Sequence, residues 1–134
     1  MKKILFAVMV MISLPGLSKT TKKVNLVGSQ LDVEALGRNI NLKQDISRFS
    51  ISDLRILRNA FAARQGYCFM DYDMRRVFEQ TSWYDSLLYR RFENDDIKPL
   101  KYTKSEQAFI QRVKNREEEL RRQNFVTTDG SVVN

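Results

Sequence analysis

The sequence contains no histidine and one cysteine, Cys68. Without histidine, a Ser-His-Asp triad, a Cys-His dyad, a histidine-built two-metal site and a Cys2His2 finger are all excluded. A single cysteine forms neither an intramolecular disulfide nor a CxxC redox pair. No internal repeat and no low-complexity segment is present. No apolar stretch is long enough to cross a bilayer. The run Ile4 to Leu14 holds 11 residues, about 16 Å as a helix against a hydrocarbon core of about 30 Å.

That run follows Lys2 and Lys3 and precedes Pro15, Gly16, Leu17 and Ser18. A basic start, a short apolar core, a helix breaker and small residues form an export signal, with cleavage expected after Ser18. No cysteine follows the run, so a bacterial lipoprotein anchor is excluded. The chain has 134 residues and a net charge of +7, room for one small domain plus appendages. Cleavage removes Lys2 and Lys3 and no acid, which leaves +5. A moderate positive charge outside the inner membrane favours acidic envelope polymers or lipid headgroups.

Residues 19–44 carry no aromatic side chain and read as a partly ordered lead-in. Val24, Leu26 and Val27 admit a short strand, and Leu31 to Leu36 a single helical turn ended by Gly37. Twelve of the fourteen aromatic residues lie between Phe49 and Phe109, so the core is expected within 45–123. A domain of this size buries only about 60% of its unfolded surface. Aromatic rings, at about 150–250 Å² each, offset that weakness.

The pattern predicts a mainly α fold of about three helices joined by aromatic-rich loops. The first follows Ser50-Ile51-Ser52-Asp53, with a serine cap, an apolar face of Leu54, Leu57, Phe61 and Ala62, and Gly66 as the stop. The second follows Asp71 as N-cap, turns Met74, Val77 and Phe78 inward, and stops near Thr81. The third follows the capping box Thr103/Glu106. Its apolar face is Phe109, Ile110, Val113 and Leu120, and Glu117–Arg121 and Glu118–Arg122 are i,i+4 pairs in the favoured order. Residues 94–99 read as a loop and 124–134 as a flexible tail.

The segment Arg58-Asn59-Ala60-Phe61-Ala62-Ala63-Arg64-Gln65-Gly66-Tyr67-Cys68-Phe69 interleaves two arginines and an asparagine with apolar positions. Met74, Phe78, Trp83 and Tyr84 follow. This resembles the YARHG domain, a bacterial domain of extracellular type with the pattern Leu-Arg-x-x-Arg-Asn-x-Ile-Tyr-Ala-Arg-His-Gly-Tyr-x-Phe, a Leu-x-x-x-Phe helix and Trp-Tyr. Leu54, Arg55, Arg58, Asn59, Ala63, Arg64, Gly66, Phe69, Phe78, Trp83 and Tyr84 carry the match, with Phe61 at the family's Ile. Glu106, Ile110 and Glu117 stand at the closing helix. The resemblance covers about residues 47–120. Ala62 replaces the family's Tyr and Gln65 its His, so the naming motif reads AARQG here. The resemblance implies a fold and a compartment and supplies no reaction.

Arg58 and Arg64 are six residues apart and so lie on different helix faces. Structurally, one or both lock onto carboxylates or C-terminal carbonyls, with Asp53, Glu93, Glu106 and Glu117 as candidate partners. Functionally, Arg64 presents a cationic pocket near Trp83 for an anionic glycan or peptide. Asn59 is expected to bond a loop backbone and is the weaker ligand contact. Trp83 and Tyr84 either close the core or stack sugars. Cys68 reads as a small hydrophobe. Arg58, Asn59, Ala63, Arg64, Gly66, Phe69, Phe78 and Trp83 form the structural motif; Arg64, Asn59, Trp83 and Tyr84 are the candidate ligand residues. Asp71-Tyr72-Asp73 lacks the Gly and distal Glu of a calcium loop and reads as a cap. The basic run Arg112 to Arg116 with Arg121 and Arg122 is interleaved with Glu117 to Glu119 and reads as a solvated face, not a nucleic-acid surface. No cofactor or metal is expected. The expectation is a non-enzymatic, exported bacterial binding module, periplasmic or extracellular, whose partner is an acidic envelope polymer, peptidoglycan or an envelope protein. The alternative is a small envelope hydrolase or enzyme inhibitor using Arg64, Asn59 and acidic residues.

Overall fold

A computed structural model describes residues 29–93 and 98–128. Among them five helices form and no strand: α1 (Val33–Leu36), α2 (Ile51–Ala63), α3 (Tyr72–Glu79), α4 (Tyr84–Glu93) and α5 (Lys104–Thr128). The export signal expected at residues 1–18 lies outside the described residues.

The three expected helices are α2, α3 and α5. Ser50 caps α2 by accepting the Asp53 N–H at 3.1 Å while Asp53 accepts the Ser50 N–H at 3.3 Å. Asp71 caps α3 through the N–H groups of Asp73 and Met74. The α5 box closes with Thr103 N–H on Glu106 at 2.8 Å and Glu106 N–H on Thr103 at 3.1 Å. In each case a side-chain acceptor satisfies N–H groups that the first helical turn leaves open.

Gly66 is required twice. Its φ is +75°, a left-handed conformation that side chains resist. A Cβ there would also collide with the Leu87 carbonyl oxygen of α4. The end of α2 therefore rests on the middle of α4.

α2 and α5 form the main packing pair. They run antiparallel, because Phe61 meets Phe109 at 5.8 Å between ring centroids and Arg58 meets Glu117. At 25 residues α5 is about 37 Å long, nearly twice α2. A second cluster stacks Phe69 on Phe78 at 5.4 Å, with Tyr84 and Trp83 tilted against them.

Three expectations about extent are corrected. Part of the supposed lead-in belongs to the core: Val33, Leu36 and Ile40 are buried. Asp53 ties its start down, accepting Ser29 Oγ at 2.9 Å and the Gln30 N–H at 2.8 Å. The single turn expected at Leu31 to Leu36 is α1. Residues 84–93, for which no helix was expected, form α4. There Thr81, read as the stop of one helix, also opens the next, since its hydroxyl accepts the Tyr84 N–H at 3.2 Å. Finally, α5 continues to Thr128, through the beginning of the supposed tail; residues 129–134 lie outside the described residues.

Candidate functional site

The arginine-rich face of α2 is bound up with its neighbours. Arg58 Nε donates to Glu117 Oε2, and Arg121 donates to Glu117 Oε1 at 3.3 Å. Glu117 is only 2% exposed. Both oxygens of a buried carboxylate are thus held by guanidinium groups, one from α2 and one from its own helix. Arg55 pairs with Asp71, the cap of α3. Of the four acids expected to hold Arg58 or Arg64, Glu117 takes the role; Asp53 and Glu106 serve as caps.

Asn59 donates to the Arg55 carbonyl at 2.7 Å. It bonds its own helix one turn back, not a loop, which satisfies its amide without a ligand. Arg64 is the C-cap of α2 and is half-buried. It forms no side-chain hydrogen bond or ion pair with the described residues. Ala63 is fully buried, where a larger side chain has no room.

Gln65, the residue in place of the family's His, has a defined task. Its Nε2 donates to the Lys101 carbonyl at 2.7 Å and its Oε1 accepts the Lys101 N–H at 3.0 Å. The amide pairs with one backbone unit as a neighbouring strand would. A neutral imidazole also carries one donor and one acceptor, but they diverge across the ring and cannot both meet one backbone residue.

Trp83 and Tyr84 divide. Tyr84 is fully buried and its hydroxyl donates to the Tyr67 carbonyl. Burial pushes its pKa up to about 12. Its ring offers no face to a sugar, which corrects its place among the ligand residues. Trp83 is half-buried against Gly37, where a Cβ would collide with the indole. The indole Nε1 is buried and meets no acceptor among the described residues. Phe69 and Phe78 are buried within the same ring cluster. Cys68 is half-buried, more open than a core hydrophobe.

The basic run of α5 reaches across to the segment after α1. Arg112 donates to the Leu42 and Gln44 carbonyls at 3.2 and 3.1 Å, and Arg116 to the Ser47 carbonyl at 3.0 Å. These guanidinium groups clamp a loop and are not simply solvated. The pair Glu117–Arg121 forms as expected. Arg116 pairs with Glu119, and no Glu118–Arg122 ion pair occurs among the described residues.

A polar cleft of about 360 Å³ lies among Ser29 to Glu34, Gln80 and Thr81. Glu34 on its rim accepts the Ser82 N–H at 2.8 Å and the Ser82 hydroxyl. Those bonds lower its pKa below the ordinary carboxylate value. None of Arg58, Asn59, Arg64 or Trp83 lines this cleft. The described residues hold no group of three or more His, Cys, Asp or Glu side chains able to hold a metal. None of their helices is long and apolar enough to cross a membrane. Among the described residues the exposed large apolar side chains are Met70, Tyr72, Tyr89, Phe92 and Phe125.

The result is a small helical domain whose arginine motif joins helices and whose rings fill its core. The model of the YARHG domain matches residues 30–118, and the chain belongs to that family of small, extracellular-type domains. The match begins earlier than the resemblance at residues 47–120 did, which accords with the buried side chains of α1. No curated protein and no solved structure matches the chain.

Proposed function

We propose that this protein is a non-enzymatic, exported bacterial domain acting as a binding or interaction module of the cell envelope. The observation that carries the reading is the engagement of the motif itself. Arg58 is locked to Glu117, Asn59 to its own helix, and Asp53 and Glu106 to helix starts. Such polar groups hold a shape; what remains for a partner is the exposed basic and aromatic surface. The signal-like run Ile4 to Leu14 after two lysines supports export. The hydrolase or inhibitor alternative draws on Arg64 and Asn59, and the occupied amide of Asn59 weakens it.

Two measurements test the reading. The N-terminus of protein recovered from outside the cytoplasm is expected to start at Lys19. Intact precursor confined to the cytoplasm refutes export. Purified protein is expected to be retained on isolated peptidoglycan, lipopolysaccharide or envelope protein fractions. Retention on none of them refutes the binding role, and turnover of an envelope substrate that Arg64→Ala abolishes without unfolding establishes the enzyme instead.

A further inference from the structure

Helix α5 turns Phe109, Val113 and Glu117 towards α2 and the core. Gln111, Asn115, Glu118, Arg122 and Phe125 recur at intervals of three and four, so they share one stripe on the opposite side. All five are exposed. Glu118, Arg121, Arg122 and Phe125 together line a shallow groove of about 540 Å³. Phe125, its apolar member, is 70% exposed.

Two features of this stripe have no use within the domain. Glu118 and Arg122 stand at i and i+4 in the order that favours an ion pair, yet neither pairs with a described residue. The neighbouring pairs Glu117–Arg121 and Arg116–Glu119 do form. Phe125 keeps most of its ring in water, an unfavourable state that burial against a partner removes.

The charge order along the stripe is self-complementary. Acid precedes base, so a second copy of α5 laid antiparallel brings each Glu118 opposite Arg122 of the other copy. The midpoint of that pairing is Leu120. The same register sets each Phe125 level with Asn115 of the other copy, because residues 115 and 125 share that midpoint. One twofold axis therefore joins two ion pairs and covers both rings. Arg121, at the margin of the stripe, is already held by Glu117. Every residue used lies in the described part of the helix.

We propose that α5 is a self-association surface, on which two copies of this chain pair antiparallel through Glu118, Arg122 and Phe125. The occupant is a second copy because the stripe carries one free charge of each sign, and its own reverse answers both. The paired span, residues 115–125, is about 16 Å of helix. A contact of that length falls below the roughly 1,200 Å² of a stable interface. The dimer is therefore weak and forms at about 100 μM and above. The inference goes beyond the envelope-binding function and does not rest on it.

The test is sedimentation equilibrium of the exported form of the chain, from about 5 μM to about 1 mM. The mass is expected to rise from one copy to two and no further, and less so at high salt. Glu118→Arg and Arg122→Glu each set like charges opposite one another and are expected to weaken pairing about tenfold or more. An equimolar mixture of these two variants is expected to recover it, since the arginines of one meet the glutamates of the other. The double variant Glu118→Arg with Arg122→Glu is expected to recover it alone. Phe125→Ala is expected to weaken pairing about fivefold. All of these side chains are exposed, so circular dichroism and melting are expected to hold. The proposal is overturned by a single copy at every concentration, by association that the single variants leave unchanged, or by a mixture that fails to recover. A monomer that binds anionic phospholipid vesicles through Phe125 assigns the stripe to lipid and overturns it too.

Discussion

Arg58→Ala is the perturbation the structure makes most consequential. Glu117 is 2% exposed and its partner side chain 25%. Removing one member of a buried ion pair strands the other, at about 3–5 kcal/mol. Two features reduce that figure here. Arg58 is not wholly buried, and Arg121 still holds the second carboxylate oxygen at 3.3 Å. The expected loss is about 2–3 kcal/mol. In a domain of this size it lowers the melting temperature by roughly 10–20 °C. Thermal unfolding followed by circular dichroism reads it directly. The companion is Arg58→Met with Glu117→Leu, which removes both charges and keeps volume. It is expected to lie within about 1 kcal/mol of wild type, because an ion pair replaced by apolar contacts loses its desolvation penalty as well. Arg64→Ala, which touches no described carboxylate, is expected to cost less than about 1 kcal/mol. A loss below about 0.5 kcal/mol for Arg58→Ala refutes the reasoning. So does a double variant as unstable as the sum of its singles.

Gly66→Ala is expected to destabilise by about 2 kcal/mol or more in urea unfolding, since it meets both a left-handed backbone and the Leu87 carbonyl. Gln65→Ala removes two bonds to Lys101 and is expected to cost about 1–2 kcal/mol; Gln65→His is expected to recover less than half of it. Gly37→Ala displaces the Trp83 indole, and a red-shifted tryptophan emission with modest destabilisation is expected; an unshifted spectrum contradicts that packing. The Tyr84 phenol, pushed up to about 12 by burial, holds its proton more tightly folded than unfolded. Its contribution is complete below about pH 10 and is lost as pH rises through 12, at up to about 1.4 kcal/mol per pH unit. Tyr84→Phe is expected to flatten that alkaline loss in pH-dependent unfolding.

How much of this was legible depended on where each signal sits. The Ser50, Asp71 and Thr103 starts and the Gly66 stop are local chemistry, and the structure holds all four. The apolar faces of α2, α3 and α5 followed from period alone. α4 was missed because its inner residues, Tyr84, Leu88 and Arg91, include an arginine, so no apolar stripe stands out. Its cap, Thr81, also serves the preceding helix through the Phe78 carbonyl. α1 was underweighted because one turn with two buried side chains generates little periodicity. Its place in the core depends on Asp53, whose reach to Ser29 and Gln30 is a tertiary fact. For the same reason the sequence named Glu117 among four acids for the arginines but left open which arginine would take it. Antiparallel packing of α2 on α5 selects Arg58.

A wider asymmetry follows from these bonds. Several described carboxylates are committed to the fold: Asp32, Asp53, Asp71 and Glu106 cap helices, and Glu117 is buried between guanidinium groups, while Asp73, Asp85, Glu93 and Glu118 stay exposed. Glu34 holds the turn before α4. Lys98, Lys101, Lys104 and Arg90 have no comparable duty and remain exposed. Charges of both signs are drawn into internal bonds, since Arg55, Arg58, Arg91, Arg112 and Arg116 are engaged as well. Gln65 matters to this arrangement through geometry alone. By pinning the Lys101 backbone beside Arg64 it positions the 98–101 segment against α2. Gln65→Ala is therefore expected to speed hydrogen exchange at the Lys101 amide as well as lower stability, without changing a single charge.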